Sequence, residues 1–175
     1  MAGLQPYTGR RDSRFVTVRR GGTLDEASHH LLANWAADCA EHVLAFFTAA
    51  HPEDDRPRFA VEGARAWARG EITMTQAREL AYAAHDAARS SSGTAREAAR
   101  SAGHAVATAH MADHELGAAA YAIRAVRAAS SVDERDAAGA VECTWQRGRL
   151  PDAIRELVIG DELRRNTKFW SLFGC

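Results

Sequence analysis

The stretch at residues 103–129 reads GHAVATAHMADHELGAAAYAIRAVRAA, and eleven of its twenty-seven residues are alanine while three are histidine. Alanine loses no side-chain entropy on entering a helix and has the highest helix propensity. Because the stretch also lacks proline, we predict that it is helical and that its small side chains let neighbouring helices approach closely. A break near residues 111–114 leaves two interpretations open, one kinked helix or two separate helices.

Start and stop signals on both sides of this stretch predict further helices. Capping boxes of the Ser/Thr-x-x-Glu/Gln type place helix starts at Thr23, Thr73 and Thr94. Gly70 is a plausible left-handed cap, while Pro57 suits a first helical turn. Apolar residues recur every three or four positions between these signals. The pattern predicts an all-α fold, a single-domain bundle of about six or seven mostly antiparallel helices.

The apolar stripes also predict which side chains are buried. Cys39, Trp35 and Trp67 lie on such stripes, so we expect an inert buried thiol and two core tryptophans. A helix over residues 133–147 should turn its inner face to the core, and that face is predicted to carry Ala137, Val141, Thr144 and Trp145. A short helix at residues 152–158 should precede a polar segment. The aromatic tail at residues 169–173 is either buried or an adhesive patch.

The first 22 residues differ from the rest of the chain in charge. They contain five arginines near one acidic residue, Asp12, and the arginines are Arg10, Arg11, Arg14, Arg19 and Arg20. Residues 15–18 alternate in polarity and are rich in β-branched side chains, which is typical of a short strand. We predict a basic arm over residues 1–22, loosely ordered or forming a short strand, and a helical domain over residues 23–175.

Composition argues against several functional classes. The formal net charge is -1, from 22 basic and 23 acidic residues, so no overall field attracts nucleic acid or an anionic membrane. No apolar stretch approaches the ~20 residues that span a bilayer. The three cysteines are an odd number without close pairs, which predicts neither a disulfide nor a zinc site and fits a reducing cytoplasm. We expect a cytoplasmic protein with no nucleic-acid and no membrane partner.

Histidines are the one candidate for chemistry, since glycine-rich phosphate loops, nucleophile elbows and Cys-x-x-Cys pairs are absent from the sequence. His110 and His114 have the i, i+4 spacing of two metal ligands, and His104 and His85 could approach them. The zinc-protease motif needs glutamate after its first histidine, but Met111 stands there. Paired Glu-x-x-His motifs of di-iron bundles are also missing. We therefore predict no catalytic residue, no cofactor and no metal, with His110 and His114 as the alternative metal ligands.

Several segments together resemble a known family. They are WAADCAEHVL at residues 35–44, PEDDRPR at 52–58, ARAWARGE at 64–71, AGHAVATAHMADHELGAAAYAIRA at 102–125 and WQRGRLPDAIRELV at 145–158. In order and spacing the chain from about Phe15 onward is similar to the Imm-5 like putative immunity proteins of bacterial polymorphic toxin systems. The resemblance carries no functional residues, and it leaves the partner-binding residues unknown.

The resemblance implies a cytoplasmic, all-helical, non-enzymatic protein that binds a cognate protein toxin and blocks its active site or its folding. Such binding needs a surface of roughly 800 Å² per partner and no cofactor. Two alternatives stay open at this point. One is a helical enzyme that binds a metal or a small molecule through the histidines of the alanine-rich region, and the other is a homo-oligomeric interaction module, for example a homodimer.

Overall fold

The structure is a computed structural model that describes residues 9–175, so the first eight residues of the predicted arm lie outside the described part. The helices are α1 (Glu26–Val43), α2 (Ala45–Ala50), α3 (Arg56–Ala68), α4 (Met74–Arg89), α5 (Gly93–Ala107), α6 (Glu115–Ala129), α7 (Arg135–Gly148) and α8 (Asp152–Arg165). Only Leu44 separates α1 from the six-residue α2. The predicted all-α bundle is confirmed.

The alanine-rich stretch forms the centre of the bundle. It is two helices, because α5 ends at Ala107 and α6 begins at Glu115, with a 3₁₀ turn at Ala112–His114 between them. Helices α1, α3 and α4 pack against α5, and α7 packs against α6. The alanines on the inner faces of α5 and α6 are fully buried, for example Ala102, Ala105, Ala119 and Ala122. The prediction that small side chains allow close packing here is confirmed.

Helix starts agree with the capping signals only in part. The Thr73 box is confirmed, because the Thr73 hydroxyl accepts from the Gln76 N–H at 3.2 Å and the Gln76 amide accepts from the Thr73 N–H at 2.8 Å. The prediction of a helix start at Thr23 is wrong, since α1 begins at Glu26 and Asp25 is its N-cap. The prediction of a helix start at Thr94 is also wrong, because α5 begins at Gly93, one residue before Thr94.

The arm explains why Thr23 does not cap α1. Leu24 donates its N–H to the Val16 carbonyl at 3.0 Å and accepts from the Val18 N–H at 3.1 Å, which keeps the chain extended there. Thr17 and Leu24 form an isolated bridge, and the arm residues around it make 3₁₀ turns at Ser13–Phe15 and Val18–Arg20. Phe15 is 1% exposed and belongs to the hydrophobic core. Residues 9–22 therefore pack on the bundle.

Helix α7 turns a different face inward from the one predicted. Its buried residues are Gly139, Glu142, Cys143 and Gln146, while Val141 is 70% exposed and Ala137 and Thr144 are exposed too. The Gln146 amide donates to the Ala119 carbonyl of α6 at 3.2 Å and to the Glu142 carboxylate at 2.9 Å. Because the Gln146 side-chain N–H groups find acceptors inside the bundle, α7 can bury a partly polar face, and the face predicted from the spacing of apolar residues is wrong.

The end of the chain returns to α7. Helix α8 runs without a break from Asp152 to Arg165, so the predicted short helix at 152–158 is only its first half. Phe173 in the tail is buried, whereas Trp170 is 49% exposed. Cys143 and Cys175 form a disulfide with a Cα–Cα distance of 5.9 Å, and the prediction of no disulfide is wrong. The two cysteines are 32 residues apart, and only the return of the tail brings them together.

Candidate partner-binding groove and histidine cluster

Three histidines meet where α4, α5 and the start of α6 pack together. His104 of α5 lies with its Nδ1 3.1 Å from the Nδ1 of His114, and its ring centroid is 5.2 Å from that of His85 on α4. One imidazole must donate a proton and the other accept it across the Nδ1–Nδ1 contact. His104 and His114 therefore form a hydrogen bond in which one ring is the donor and the other the acceptor. We call His85, His104 and His114 the histidine cluster.

Two glycines make room for this cluster. A Cβ atom at Gly103 would lie 2.6 Å from a ring carbon of His85, and one at Gly117 would lie 2.6 Å from the Nδ1 of His104. Non-bonded carbons sit at about 3.5–4.0 Å, so neither position accommodates a side chain without movement of the facing ring. The glycines of the alanine-rich stretch thus create the spaces in which the imidazole rings lie.

The histidine cluster stays uncharged at neutral pH. Burial, followed by the charges of Arg100 and Arg89, lowers the pKa of His85 to about 4. Burial lowers the pKa of His114 to about 4 as well, and it lowers that of His104 well below its usual range. Residues 9–175 contain no group of three or more histidine, cysteine or acidic side chains arranged to hold a metal ion.

His110, the other alternative metal ligand, is placed differently from His114. It follows the end of α5, whereas His114 lies in the 3₁₀ turn, so the two are not on one face of one helix. Their ring centroids are 5.3 Å apart. His114 faces His104, and His110 lines a separate groove on the side of the arm. The loop between α5 and α6 therefore directs its two histidines to two different cavities.

A cavity of about 320 Å³ adjoins the histidine cluster. Its wall includes His104, His114, Tyr121, Arg165 and Trp170. The Arg124 guanidinium lies 4.2 Å from the centroid of the Trp170 ring. Arg165 in this wall also pairs with the buried carboxylates of Glu115 and Asp161, and burial together with the charge of Asp161 raises the pKa of Glu115 well above its usual range.

A larger groove of about 890 Å³ lies between the arm and the bundle, and we call it the arm groove. The apolar part of its lining includes Phe15, Val18, Leu24, Trp67 and Met74, and the basic part includes Arg11, Arg19 and Arg20. Phe15 and Leu24 are buried, while Val18 is 64% exposed. The arm groove thus combines accessible apolar surface with a concentration of guanidinium groups.

His110 marks the electropositive end of the arm groove. Burial lowers its pKa, and the charges of Arg78, Arg11 and Arg20 lower it further. Its Nδ1 is buried and has no hydrogen-bond partner among the described residues. Buried polar atoms in folded proteins are nearly always paired, so an unpaired nitrogen at this position is unusual.

Trp67 occupies the other side of the arm groove. Its ring centroid lies 4.6 Å from that of His29 and 5.1 Å from that of His30, both on α1. The Nε2 of His29 is 2.7 Å from the carbonyl oxygen of Thr108, which fixes this ring. Trp35, by contrast, is 1% exposed and donates its indole N–H to the Gln146 carbonyl at 2.9 Å. The prediction of a core position is confirmed for Trp35, but Trp67 is only partly buried.

Several residues of the arm groove stand out in the sequence, but no pattern in the sequence indicates the groove itself. The excess of arginine over acidic residues in the arm was visible, but it led to the prediction of an arm that is loosely ordered or forms a short strand, and not of one wall of a groove. His29, His30 and Met74 gave no signal as site residues, because they come from helices whose mutual placement the sequence does not reveal. The unpaired charge of the arm was the single usable clue.

Comparison with known proteins is consistent with the resemblance in the sequence. The profile of the Imm-5 like putative immunity protein family matches residues 22–153, which is most of the chain. No curated protein and no solved structure is similar to the chain at a significant level. None of the helices within residues 9–175 is long and apolar enough to cross a membrane. With its helical bundle and a family match over more than half of its length, the chain belongs to the Imm-5 like putative immunity proteins.

Proposed function

We propose that this protein neutralises a cognate bacterial toxin by binding it directly, without catalysing a reaction and without a cofactor or metal. The observation that carries the proposal is the family match over residues 22–153. An immunity protein protects the cell that makes the toxin, so the proposed place of action is the cytoplasm of the producing bacterium. The toxin of a polymorphic toxin system is the proposed partner.

Two features of the structure support a binding role over a catalytic one. Of the two histidines that the sequence offered as metal ligands, His114 is engaged with His104 through the 3.1 Å contact between their Nδ1 atoms, and His110 lies in a different cavity. The arm groove, in contrast, exposes apolar and arginine side chains together, and arginine and aromatic residues supply much of the binding energy at protein interfaces. These observations favour a surface that recognises another protein.

The proposal is tested with the toxin domain encoded beside the gene for this chain. The toxin is expressed in a bacterial host under an inducible promoter, alone or with the full chain, and growth is recorded. A purified, catalytically inactive toxin variant is then titrated with the full chain by calorimetry. We expect growth to be restored and a complex of defined stoichiometry to form. If the host dies in both cases and no heat of binding is measured at tens of micromolar, the proposal is wrong.

A further inference from the structure

We propose that the arm groove is the docking site for an acidic segment of the toxin, with carboxylates at Arg19 and Arg20 and an apolar side chain against Trp67. This inference rests on the proposed function, and it adds the surface and the chemistry of recognition. The occupant we commit to is a stretch of toxin chain in which aspartate or glutamate alternates with an apolar or aromatic residue.

Charge complementarity is the first argument for an acidic occupant. The whole chain carries a formal charge of -1, yet three arginines line this one groove. Arg19 and Arg20 are exposed, and within the described part of the chain neither makes an ion pair. Arg11 has only a 3.5 Å contact with Asp113. Guanidinium groups bind carboxylates through paired hydrogen bonds, so unpaired arginines at a groove select an acidic partner.

The second argument is that the surrounding acidic side chains do not neutralise these arginines. Asp25 and Glu26 also line the groove, but the carboxylate of Asp25 accepts from the Ser28 N–H at 2.7 Å as the cap of α1. Glu26 approaches His30 at 3.9 Å. The Asp25 carboxylate is therefore held at the start of α1, and within residues 9–175 neither acid forms an ion pair with an arginine of the arm.

The apolar lining is the third argument, and it favours a protein over a nucleic acid. Val18 is 64% exposed and Met74 is 36% exposed, and both line the same groove as the partly buried Trp67. A nucleic-acid backbone is bound mainly by cations along its path and does not require an apolar surface. An apolar patch beside cations matches a peptide segment with both kinds of side chain.

The experiment measures the affinity of full-length charge-reversal variants for the inactive toxin. Arg19→Glu and Arg20→Glu change exposed side chains, so the variants are expected to fold, which thermal melting by circular dichroism checks. Arg135→Glu is the matched control, because Arg135 is exposed on α7 and has no ion pair among residues 9–175. We expect the Kd at 150 mM NaCl to rise at least tenfold for Arg19→Glu and for Arg20→Glu, and to stay within twofold for Arg135→Glu. Val18→Asp should weaken binding as well.

The outcomes separate this inference from the proposed function. If the wild-type chain forms no complex with the toxin, the proposed function fails. If the complex forms and the groove variants bind as tightly as the wild type does, the function stands and the groove inference is overturned. Restored binding between Arg20→Glu and a toxin in which one glutamate is changed to arginine would support the inference directly.

Two further measurements address other occupants of the groove. Sedimentation of the wild-type chain alone would overturn the inference if it showed a dimer that Arg20→Glu dissociates, since the groove would then join two copies. A titration with a 20-nucleotide DNA duplex would also overturn it if the duplex bound and displaced the toxin. We expect the chain to be monomeric in the first measurement and the duplex not to compete in the second.

Discussion

Gly117 offers the sharpest test of how the centre of this bundle is built. Changing it to alanine places a Cβ atom 2.6, 2.9 and 3.1 Å from the Nδ1, Cγ and Cε1 atoms of His104. By helix propensity alone, alanine in place of glycine would stabilise α6 by about 1 kcal/mol. The packing effect has the opposite sign and is larger, so we expect a net loss of stability.

The magnitude follows from what must move. His104 is held by its Nδ1 contact with His114 at 3.1 Å and by stacking on Tyr121 with a centroid distance of 5.2 Å. Overpacking a core costs about 1–3 kcal/mol, and a broken hydrogen bond costs about 1 kcal/mol more. After the gain in helix propensity, Gly117→Ala should lower the free energy of unfolding by about 1–3 kcal/mol.

The assay is urea unfolding followed by circular dichroism at pH 7.5. Gly148→Ala in α7 is the matched control, because a Cβ atom there has no neighbour within 4 Å. The control should be neutral or stabilising by up to about 1 kcal/mol. In the Gly117→Ala background, His104→Ala should cost less than it does in the wild type, with a coupling energy of about 1 kcal/mol or more. If Gly117→Ala is as stable as Gly148→Ala, the reasoning about glycine and imidazole packing is refuted.

Three further predictions concern titration and thiol chemistry. The pKa values of His85 and His114, about 4 when folded, lie below the usual 6.5, so the unfolded chain binds more protons between these pH values. The stability that the two neutral histidines contribute is complete above pH 6.5 and is lost as the pH falls towards 4, by at most about 3 kcal/mol per histidine. Urea unfolding at pH 7.5 and at pH 5.5 measures this loss. Equal free energies of unfolding at the two pH values would contradict the low pKa values of His85 and His114. Cys175→Ser removes the disulfide to Cys143, which is 32 residues away, and should lower the free energy of unfolding by up to about 4 kcal/mol. Reduction of the wild-type disulfide with dithiothreitol should cause an equal loss. Burial raises the pKa of the Cys39 thiol well above its usual range, so a thiol reagent at pH 8 should label it only as the chain unfolds, and rapid labelling of the native reduced protein would show that it is accessible.

The histidine cluster shows that residue spacing in the sequence is not enough to predict which histidines lie together. His110 and His114 have ligand spacing only if one helix continues through both, and the chain turns between them at the 3₁₀ segment Ala112–His114. His85 joins the cluster from α4, which no periodicity within the alanine-rich stretch could indicate. The sequence therefore identified the residues of interest, while their pairing depended on the turn and on the packing of α4 against α5.

The sequence by itself determined the features that depend on neighbouring residues. Alanine content makes α5 and α6 helical, the Thr73 and Gln76 side chains start α4, and Gly70 adopts the left-handed conformation that ends α3, with φ of 74°. These choices rest on propensities and on hydrogen bonds within three or four residues. The same local chemistry at Thr23 gave a wrong start, because hydrogen bonds from Leu24 to the arm keep the chain extended.

Tertiary structure alone decided which local possibilities were realised. It placed the polar side of α7 inward because Gln146 finds partners there, joined Cys143 to Cys175, and set the arm beside α1 so that its arginines line a groove. Each of these outcomes depends on contacts between residues far apart in the chain. Such contacts depend on how the helices pack together in the core, and the periodicity of the sequence does not specify that packing.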